Sequence, residues 1–213
     1  MPDLNFRVES AEVLRFAAAP TLLFKLRIEN LEGEPVRSVA LNTQIRIATT
    51  QRHYGAEEQE RLLELFGAKH RWGETLKSML WTHAAVPVPP FTGSTVVDLP
   101  VTCTYDFEVV SAKYFHGLEN GEVPLDFLFS GTVFYAGGVG LQATQISWEK
   151  EAQFRLPVCL WKQMMEHYFP SSAWLRVRKD TFDRLYGYRV RQGLLTWEDA
   201  LERLLGAGEE GGR

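Results

Sequence analysis

Apolar and polar residues alternate along three segments near the start of the chain. The segment SVALNTQIRI follows the turn-like EGEP, and FRVESAEVLRF lies further upstream. Such alternation predicts β-strands with one buried and one solvated face. We therefore predict an antiparallel meander within about residues 5–50. The clearest strand is TLLFKLRIE, which sets Leu22, Phe24, Leu26 and Ile28 against Lys25, Arg27 and Glu29.

The pattern changes near residues 56–82, where a short helical insertion is predicted. The segment AEEQERLLELFG has an acidic first turn, several apolar residues and a closing Gly67, as expected of a short helix. GETLKSMLW is a weaker candidate for one or two further helical turns. Pro87, Pro89 and Pro90 then require extended backbone.

A second group of strands is predicted between about residues 92 and 156. The segment TVVDLPVTCTYDFEV places every second residue from Thr95 to Val109 on one face. Pro100 lies on the other face, which indicates an edge strand or a bulge. VPLDFLFSGTVFYAGG and GLQATQISWEK have the pattern of a hairpin joined by a glycine-rich turn.

From residue 157 the chain has a helical pattern. PVCLWKQMMEHYF, DTFDRLYGYRVRQ and WEDALERLL are the predicted helices, and Thr196 with Asp199 approximates a capping box. The tail from about residue 206 is expected to fray. Strands followed by helices predict an α+β fold. We expect an antiparallel sheet or sandwich over residues 1–156, with the helical insertion, and a C-terminal helical appendage over residues 157–213 packed on it.

Composition narrows the classes of partner. The chain has 213 residues and a net charge of -4, which gives no general attraction to nucleic acid or an anionic membrane. No segment approaches the roughly 18 consecutive apolar residues of a membrane helix. The N-terminal MPDLNFRVESAEVLRF lacks the features of a secretory signal. Cys103 and Cys159 are too few for a disulfide framework, so a cytoplasmic location is expected.

Cys103 and the histidines are the residues to weigh as catalytic or metal-binding candidates. In a strand, Cys103 shares an apolar face with Val101 while Asp106 points to the opposite side, so we interpret Cys103 as structural. No two histidines have the spacing that lets one element supply two metal ligands. We predict no catalytic residue, metal or cofactor. An enzyme that uses Cys103, or a metal site built from distant histidines, remains the less favoured alternative.

One local excess of positive charge lies in the C-terminal helices, at Arg176, Arg178, Lys179, Arg184, Arg189 and Arg191. Two short helices joined by GLLT invite comparison with a helix-turn-helix motif. The second helix carries acidic residues instead of the basic or polar residues that would enter a DNA groove. An acidic protein partner or a simple solvated face is therefore the preferred interpretation.

Several stretches together resemble an uncharacterised bacterial family, domain of unknown function 6084. They include PTLLFKLRIEN, SVALNTQIRI, VDLPVTCTYDFEV, GEVPLDFLFSGTVFY, WLRVRKDT and GLLTWEDALERLL, and the similarity extends over nearly the whole chain. The motifs occupy turn and core positions, so they identify a family without implying a reaction. The resemblance implies genes that commonly lie beside those of uptake nickel-iron hydrogenases and their maturation factors. It therefore implies an accessory or assembly role, with no catalytic residues to carry over.

The expected function is thus non-catalytic binding of another protein, with a hydrogenase subunit or maturation factor as the implied partner. Interface centres are enriched in tryptophan, tyrosine, phenylalanine and arginine. The alternatives are that the tryptophans belong to the core, and that an open sheet edge makes the protein a general polypeptide-binding module. The candidate binding residues are Arg71, Trp72, Trp81, Trp174, Arg176, Arg178 and Arg191.

Overall fold

The computed structural model describes residues 1–104, 106, 109–138, 140–172 and 176–210. The strands within this part of the chain are β1 (Leu4–Val13), β2 (Thr21–Asn30), β3 (Val36–Ile47), β4 (Met79–Val88), β5 (Ser94–Thr102), β6 (Glu122–Gly137), β7 (Gly140–Gln145) and β8 (Glu151–Pro157). The helices are α1 (Ala56–Arg61), α2 (Leu63–Phe66), α3 (Trp72–Thr75), α4 (Val110–Gly117), α5 (Val158–Tyr168), α6 (Lys179–Arg191) and α7 (Trp197–Glu210).

The strands form two antiparallel sheets. The first has the order β1-β2-β5, and the second has the order β4-β3-β6-β7. Strand β8 pairs with the N-terminal half of the long strand β6, and β7 pairs with its C-terminal half. The edges of the two sheets approach each other, because β1 lies beside β8 and β4 lies beside β5.

Aromatic side chains join the two sheets into a sandwich. Phe6 of β1 stacks on Phe129 of β6 with ring centroids 4.2 Å apart. Phe24 of β2 packs edge to face on Phe127 of β6, with ring centroids 5.2 Å apart. Both contacts cross from the first sheet to the second, so the apolar faces that alternation predicts meet in one core. The α+β architecture with antiparallel sheets is confirmed.

Helices complete this core. Phe115 of α4 stacks on Trp161 of α5 with ring centroids 5.2 Å apart. Phe115 also lies 5.0 Å from the ring of Trp81 on β4. Leu62 is fully buried between α1 and α2. The helical insertion and the first C-terminal helix therefore share the hydrophobic core of the sandwich.

The predicted meander is wrong, because β3 leaves the first sheet. Strand β2 pairs with β1 and β5, whereas β3 pairs with β4 and β6. Alternation predicts which face of a strand is buried. It does not predict the sheet to which the strand belongs, because the strands of both sheets alternate in the same way. The pattern therefore locates the strands and leaves their neighbours undetermined.

The predicted bounds of two further elements are also corrected. The helical insertion ends at Thr75, and the last part of the predicted helical region belongs to β4. Pro87 lies within β4, an edge strand. A proline is tolerated there because its missing N–H can lie on the side that faces away from β3, where it interrupts no hydrogen bond between strands. Strand β5 ends at Thr102 instead of Val109, and helix α4 follows.

The expectation for Pro100 is confirmed, since β5 is an edge of the first sheet. The predicted β-hairpin of strands β6 and β7 is also present. Tyr105 and Phe107, which continue the alternation of β5 in the sequence, lie outside the described residues.

The chain divides into two compact units, Met1–Trp174 and Leu175–Arg213. Helix α5 belongs to the first unit, although its pattern grouped it with the C-terminal helices from residue 157. Helices α6 and α7 belong to the second unit. Helix α7 continues to Glu210, past the predicted start of fraying near residue 206, and residues 211–213 lie outside the described part of the chain.

Candidate functional site

The described residues of the second unit, 176–210, contain two helices joined by a short turn; we call them the hairpin. Gly193 ends α6 with a φ of 66°, a left-handed conformation that favours glycine. The Thr196 hydroxyl accepts a hydrogen bond from the Asp199 N–H, and the Asp199 carboxylate accepts one from the Thr196 N–H. This confirms the predicted capping box at the start of α7. Hydrogen bonding from Thr196 lowers the pKa of Asp199.

An aromatic cluster holds the two helices together on one side. The ring of Trp197, at the start of α7, lies 5.3 Å from Phe182 and 6.3 Å from Tyr186 of α6. The Arg189 guanidinium lies 4.1 Å from the centre of the Trp197 ring, in the arrangement of a cation–π contact. Trp197 and Arg189 thus contact residues within the hairpin and stabilise the packing of its two helices.

A groove of about 440 Å³ runs along the hairpin. Leu185 and Tyr188 of α6 and Leu204 of α7 supply its apolar surface. Arg184 and Arg191 are two helical turns apart on α6 and border the same groove, together with Asp183 and Thr181. Among the described residues, neither of these two arginines forms an ion pair. The groove therefore presents an apolar floor with available positive charge at its border.

The three predicted arginines of the hairpin are all exposed, but they do not form one cluster. Arg178 is the N-cap residue of α6, and its guanidinium lies 3.4 Å from the Asp180 carboxylate. Arg191 is the last residue of α6, which places it roughly 20 Å along the helix from Arg178. Arg176 precedes the helix by two residues. One end of α6 thus carries Arg176 and Arg178, and the other carries Arg191.

The other predicted binding residues belong to the first unit. The Trp72 indole N–H donates to the Gly67 carbonyl oxygen at 2.9 Å, and its ring lies 5.2 Å from Tyr54. Trp81 is half-buried against Phe115. Both tryptophans therefore pack on the core, while Arg71 is exposed. Trp174 lies outside the described residues.

The chemistry at Cys103 is that of a packed side chain. Cys103 directly follows β5 and is 6% exposed. Burial raises the pKa of its thiol to about 12, so the thiolate needed for nucleophilic attack is scarce near neutral pH. Within the described residues, no group of three or more His, Cys, Asp or Glu side chains is arranged to hold a metal ion.

A second cleft, of about 340 Å³, lies between α1, α4 and α5. Arg61 and His116 border it, with Trp161 and Lys162 on the α5 side. Burial, with help from the Lys162 and Arg61 charges, lowers the pKa of His116. Arg61 pairs with Glu119 at 3.1 Å, and Lys162 donates to the Glu119 carbonyl oxygen at 2.9 Å. These contacts tie the ends of the helices together.

The groove was not predicted as a site. Leu185, Tyr188 and Leu204 carry no chemical signature in the sequence, and their proximity depends on how α6 packs on α7. The spacing of Thr181, Arg184, Tyr188 and Arg191 does place these four residues on one face of a helix, which was the available signal.

The chain belongs to a family of unknown function, DUF6084, whose model matches residues 1–212. A comparison with curated proteins finds no match. Among the described residues, no helix has both the length and the apolar character needed to cross a membrane.

Solved structures offer distant similarity. The CARDB domain of a Pyrococcus furiosus protein, described in complex with di-metal ions, is 12% identical with a TM-score of 0.29, over 73% of this chain and 92% of that chain. A putative late embryogenesis abundant protein is 14% identical with a TM-score of 0.33, over 74% of this chain and 73% of that one. A β-glucosidase from Kluyveromyces marxianus is 8% identical with a TM-score of 0.25, over 72% of this chain and 15% of the enzyme.

Proposed function

We propose that the protein is a non-catalytic, cytoplasmic accessory protein. It binds an acidic surface of another protein through the N-terminal end of α6, which carries Arg176 and Arg178. The observation that carries the proposal is the exposure of Arg176 and Arg178 at this end of the hairpin. Arg178 has one carboxylate nearby, at Asp180, and both of these side chains are well exposed to solvent. An exposed pair of this kind is weak, so an incoming carboxylate can replace it.

Arginine suits this role because its planar guanidinium binds carboxylates through two parallel hydrogen bonds. Val177 between the two arginines is 38% exposed and adds apolar contact surface. The resemblance that implies a hydrogenase gene neighbourhood leads us to propose a hydrogenase subunit or maturation factor as the partner. The proposed role is assembly or support of that enzyme.

The alternative, a polypeptide-binding module that uses an open sheet edge, has less structural support. Pro87 lies in edge strand β4 and Pro100 in edge strand β5, where each removes a backbone donor that an added strand would need. Strand β1 has an irregularity between Val8 and Ser10. These features discourage strand addition at β4, β5 and β1, which leaves the exposed strand β7 as an edge where an added strand could pair.

The test is affinity purification from the native cell at low salt, with the captured proteins identified by mass spectrometry. The full-length protein is expected to capture a hydrogenase subunit or maturation factor, and Arg176→Glu with Arg178→Glu is expected to lose it. Because exposed charges are screened over about 3 Å at 1 M salt, against about 10 Å at 0.1 M, high salt should also release the partner.

The matched control is Arg7→Glu with Arg37→Glu, which makes the same change in net charge at exposed positions of β1 and β3. This variant should keep the partner. Capture of a mixed set of unfolded chains, absence of any hydrogenase component, or equal loss with both variants would contradict the proposal.

A further inference from the structure

The hairpin has almost no interior of its own. Among its described residues only Ala200 is buried. Apolar side chains remain exposed on both helices, including Tyr186 at 49% and Val190 at 60% on α6, and Leu201 at 40% and Leu205 at 69% on α7. Two short helices alone rarely bury enough apolar surface to be stable, so these exposed apolar side chains favour contact with a further surface.

The two helices carry opposite charge. Helix α6 has four basic and two acidic residues, whereas α7 has five acidic residues and one basic residue. On α7, Glu198 and Glu202 are exposed and flank the same side as Leu201 and Leu205. Helix α7 therefore has one face that carries both acidic and apolar side chains. This face complements the groove, which has an apolar floor and arginines at its border.

We propose that the groove is occupied by α7 of a second copy of the chain, in a two-fold symmetric dimer that forms a four-helix bundle. Leu201 and Leu205 of one copy cover the apolar floor of the groove of the other copy, with Glu198 and Glu202 near Arg184 and Arg191. Two-fold symmetry repeats the contact, so each copy supplies one groove and one acidic helix. Helix-in-groove packing is a common mode of protein association.

A second copy is favoured over an unrelated helix because the chain itself contains both complementary surfaces. Charge complementarity also fixes the pairing, since α6 against α6 of the second copy would place arginines opposite arginines. The dimer uses Arg184 and Arg191 within α6, whereas the proposed function rests on Arg176 and Arg178, which lie before the first residue of the helix. The two proposals can therefore fail separately.

The test is the mass of the full chain in solution, measured by sedimentation equilibrium over a range of concentrations at low salt. The expected mass is twice the chain mass of 24.3 kDa. Arg184→Glu with Arg191→Glu, and separately Glu198→Arg with Glu202→Arg, should each raise the dimer dissociation constant by more than about tenfold, because like charges then face each other.

Mixing the two charge-reversed variants gives the sharpest result. In a heterodimer of the two, each groove meets a helix of opposite charge, so an equimolar mixture should restore the dimer mass. Misfolded chains would not be rescued in this way, and circular dichroism of each variant should keep the wild-type helix signal. Arg176→Glu with Arg178→Glu should remain dimeric.

A wild-type chain that stays monomeric, a dimer that neither charge reversal weakens, or a mixture that fails to restore dimers would each overturn this inference. A dimer that fails to capture a partner would contradict the proposed function and leave the inference supported. A monomer that captures a partner through Arg176 and Arg178 would do the reverse.

Discussion

Single residues in this chain take roles that their chemistry alone does not reveal. Cys103 is flanked by polar residues in CTYD, yet its side chain faces the core beside Val101. Alternation predicted this orientation, because a strand alternates its side chains between two faces. The burial of Cys103 and the raised pKa of its thiol support the interpretation that this residue is structural.

Thiol labelling tests the role of Cys103. In the folded protein, iodoacetamide should modify Cys159, which is exposed, and leave Cys103 unmodified. Modification of Cys103 should remain slow as the pH rises toward 10, because its pKa is about 12 and access is blocked. Peptide mass spectrometry identifies the labelled residue, and unfolding the chain in denaturant should make both cysteines reactive. Rapid labelling of Cys103 in the folded state would contradict a structural role.

A buried ion pair between Arg52 and Glu58 anchors the helical insertion, and no local pattern predicts it. Arg52 donates to the Glu58 carboxylate at 2.6 Å and to the carbonyl oxygens of Asn120 and Glu122 at 2.7 Å each. The same carboxylate accepts a hydrogen bond from the Glu119 N–H at 2.8 Å. The charges of Arg52 and Glu58 resemble those of any solvated helix start, so only the fold reveals that they are shielded from water.

Removing Arg52 should therefore destabilise the protein strongly. Arg52→Ala leaves the Glu58 charge buried and should lower the free energy of unfolding by about 3–5 kcal/mol. The matched control is Arg61→Ala, which breaks the exposed pairs with Glu57 and Glu119 and should cost less than about 1 kcal/mol. Urea unfolding followed by circular dichroism measures both values. An equal decrease in the free energy of unfolding for the two variants would contradict a larger contribution from the buried pair.

At the scale of elements, periodicity located most strands but not their partners. The alternating segments around β2, β3 and β6 all form strands, because each must bury one face. Helix α4 was missed, since its eight residues follow directly on a long alternating segment and are too few to establish a helical period. Strand pairing depends on contacts between distant segments, which a local pattern does not contain.

Strand β6 passes very close to β3 at Gly131. This glycine has a φ of 136°, and a Cβ there would lie 2.0 Å from the Ala40 carbonyl oxygen. Any side chain must therefore push apart two central strands of the second sheet. The close approach explains why a glycine interrupts the apolar segment FLFSGTVFY, where it would otherwise weaken a strand.

Gly131→Ala should lower the free energy of unfolding by more than about 2 kcal/mol, because both backbone strain and a steric clash are introduced. Gly138→Ala is the control, since a Cβ at that position meets nothing within 4 Å and should change stability by less than about 0.5 kcal/mol. Thermal and urea unfolding provide the comparison. A neutral Gly131→Ala would be inconsistent with the close pairing of β3 and β6.

At the scale of the whole molecule, the two units differ in character. The first unit holds nearly all buried side chains among the described residues, and Trp72 and Trp81 pack against that core. The second unit exposes its arginines and much of its apolar surface. The cluster of arginines in the sequence predicted exposed positive charge near α6, because arginine is rarely buried without a partner. The groove was not predicted, because it forms only where α6 packs on α7 and a local sequence pattern does not contain that packing.

In the proposed function, the N-terminal end of α6, with Arg176 and Arg178, contacts a partner protein in the cell. Placing the photo-crosslinking amino acid p-benzoylphenylalanine at Val177, between the two arginines, tests this contact and leaves Arg176 and Arg178 intact. Arg37 replaced in the same way is the control. Irradiation of native cells is expected to join the position of Val177 to a hydrogenase subunit or maturation factor, and the position of Arg37 to no such protein. The absence of that adduct at Val177, or an equal yield at Arg37, would contradict the proposed contact.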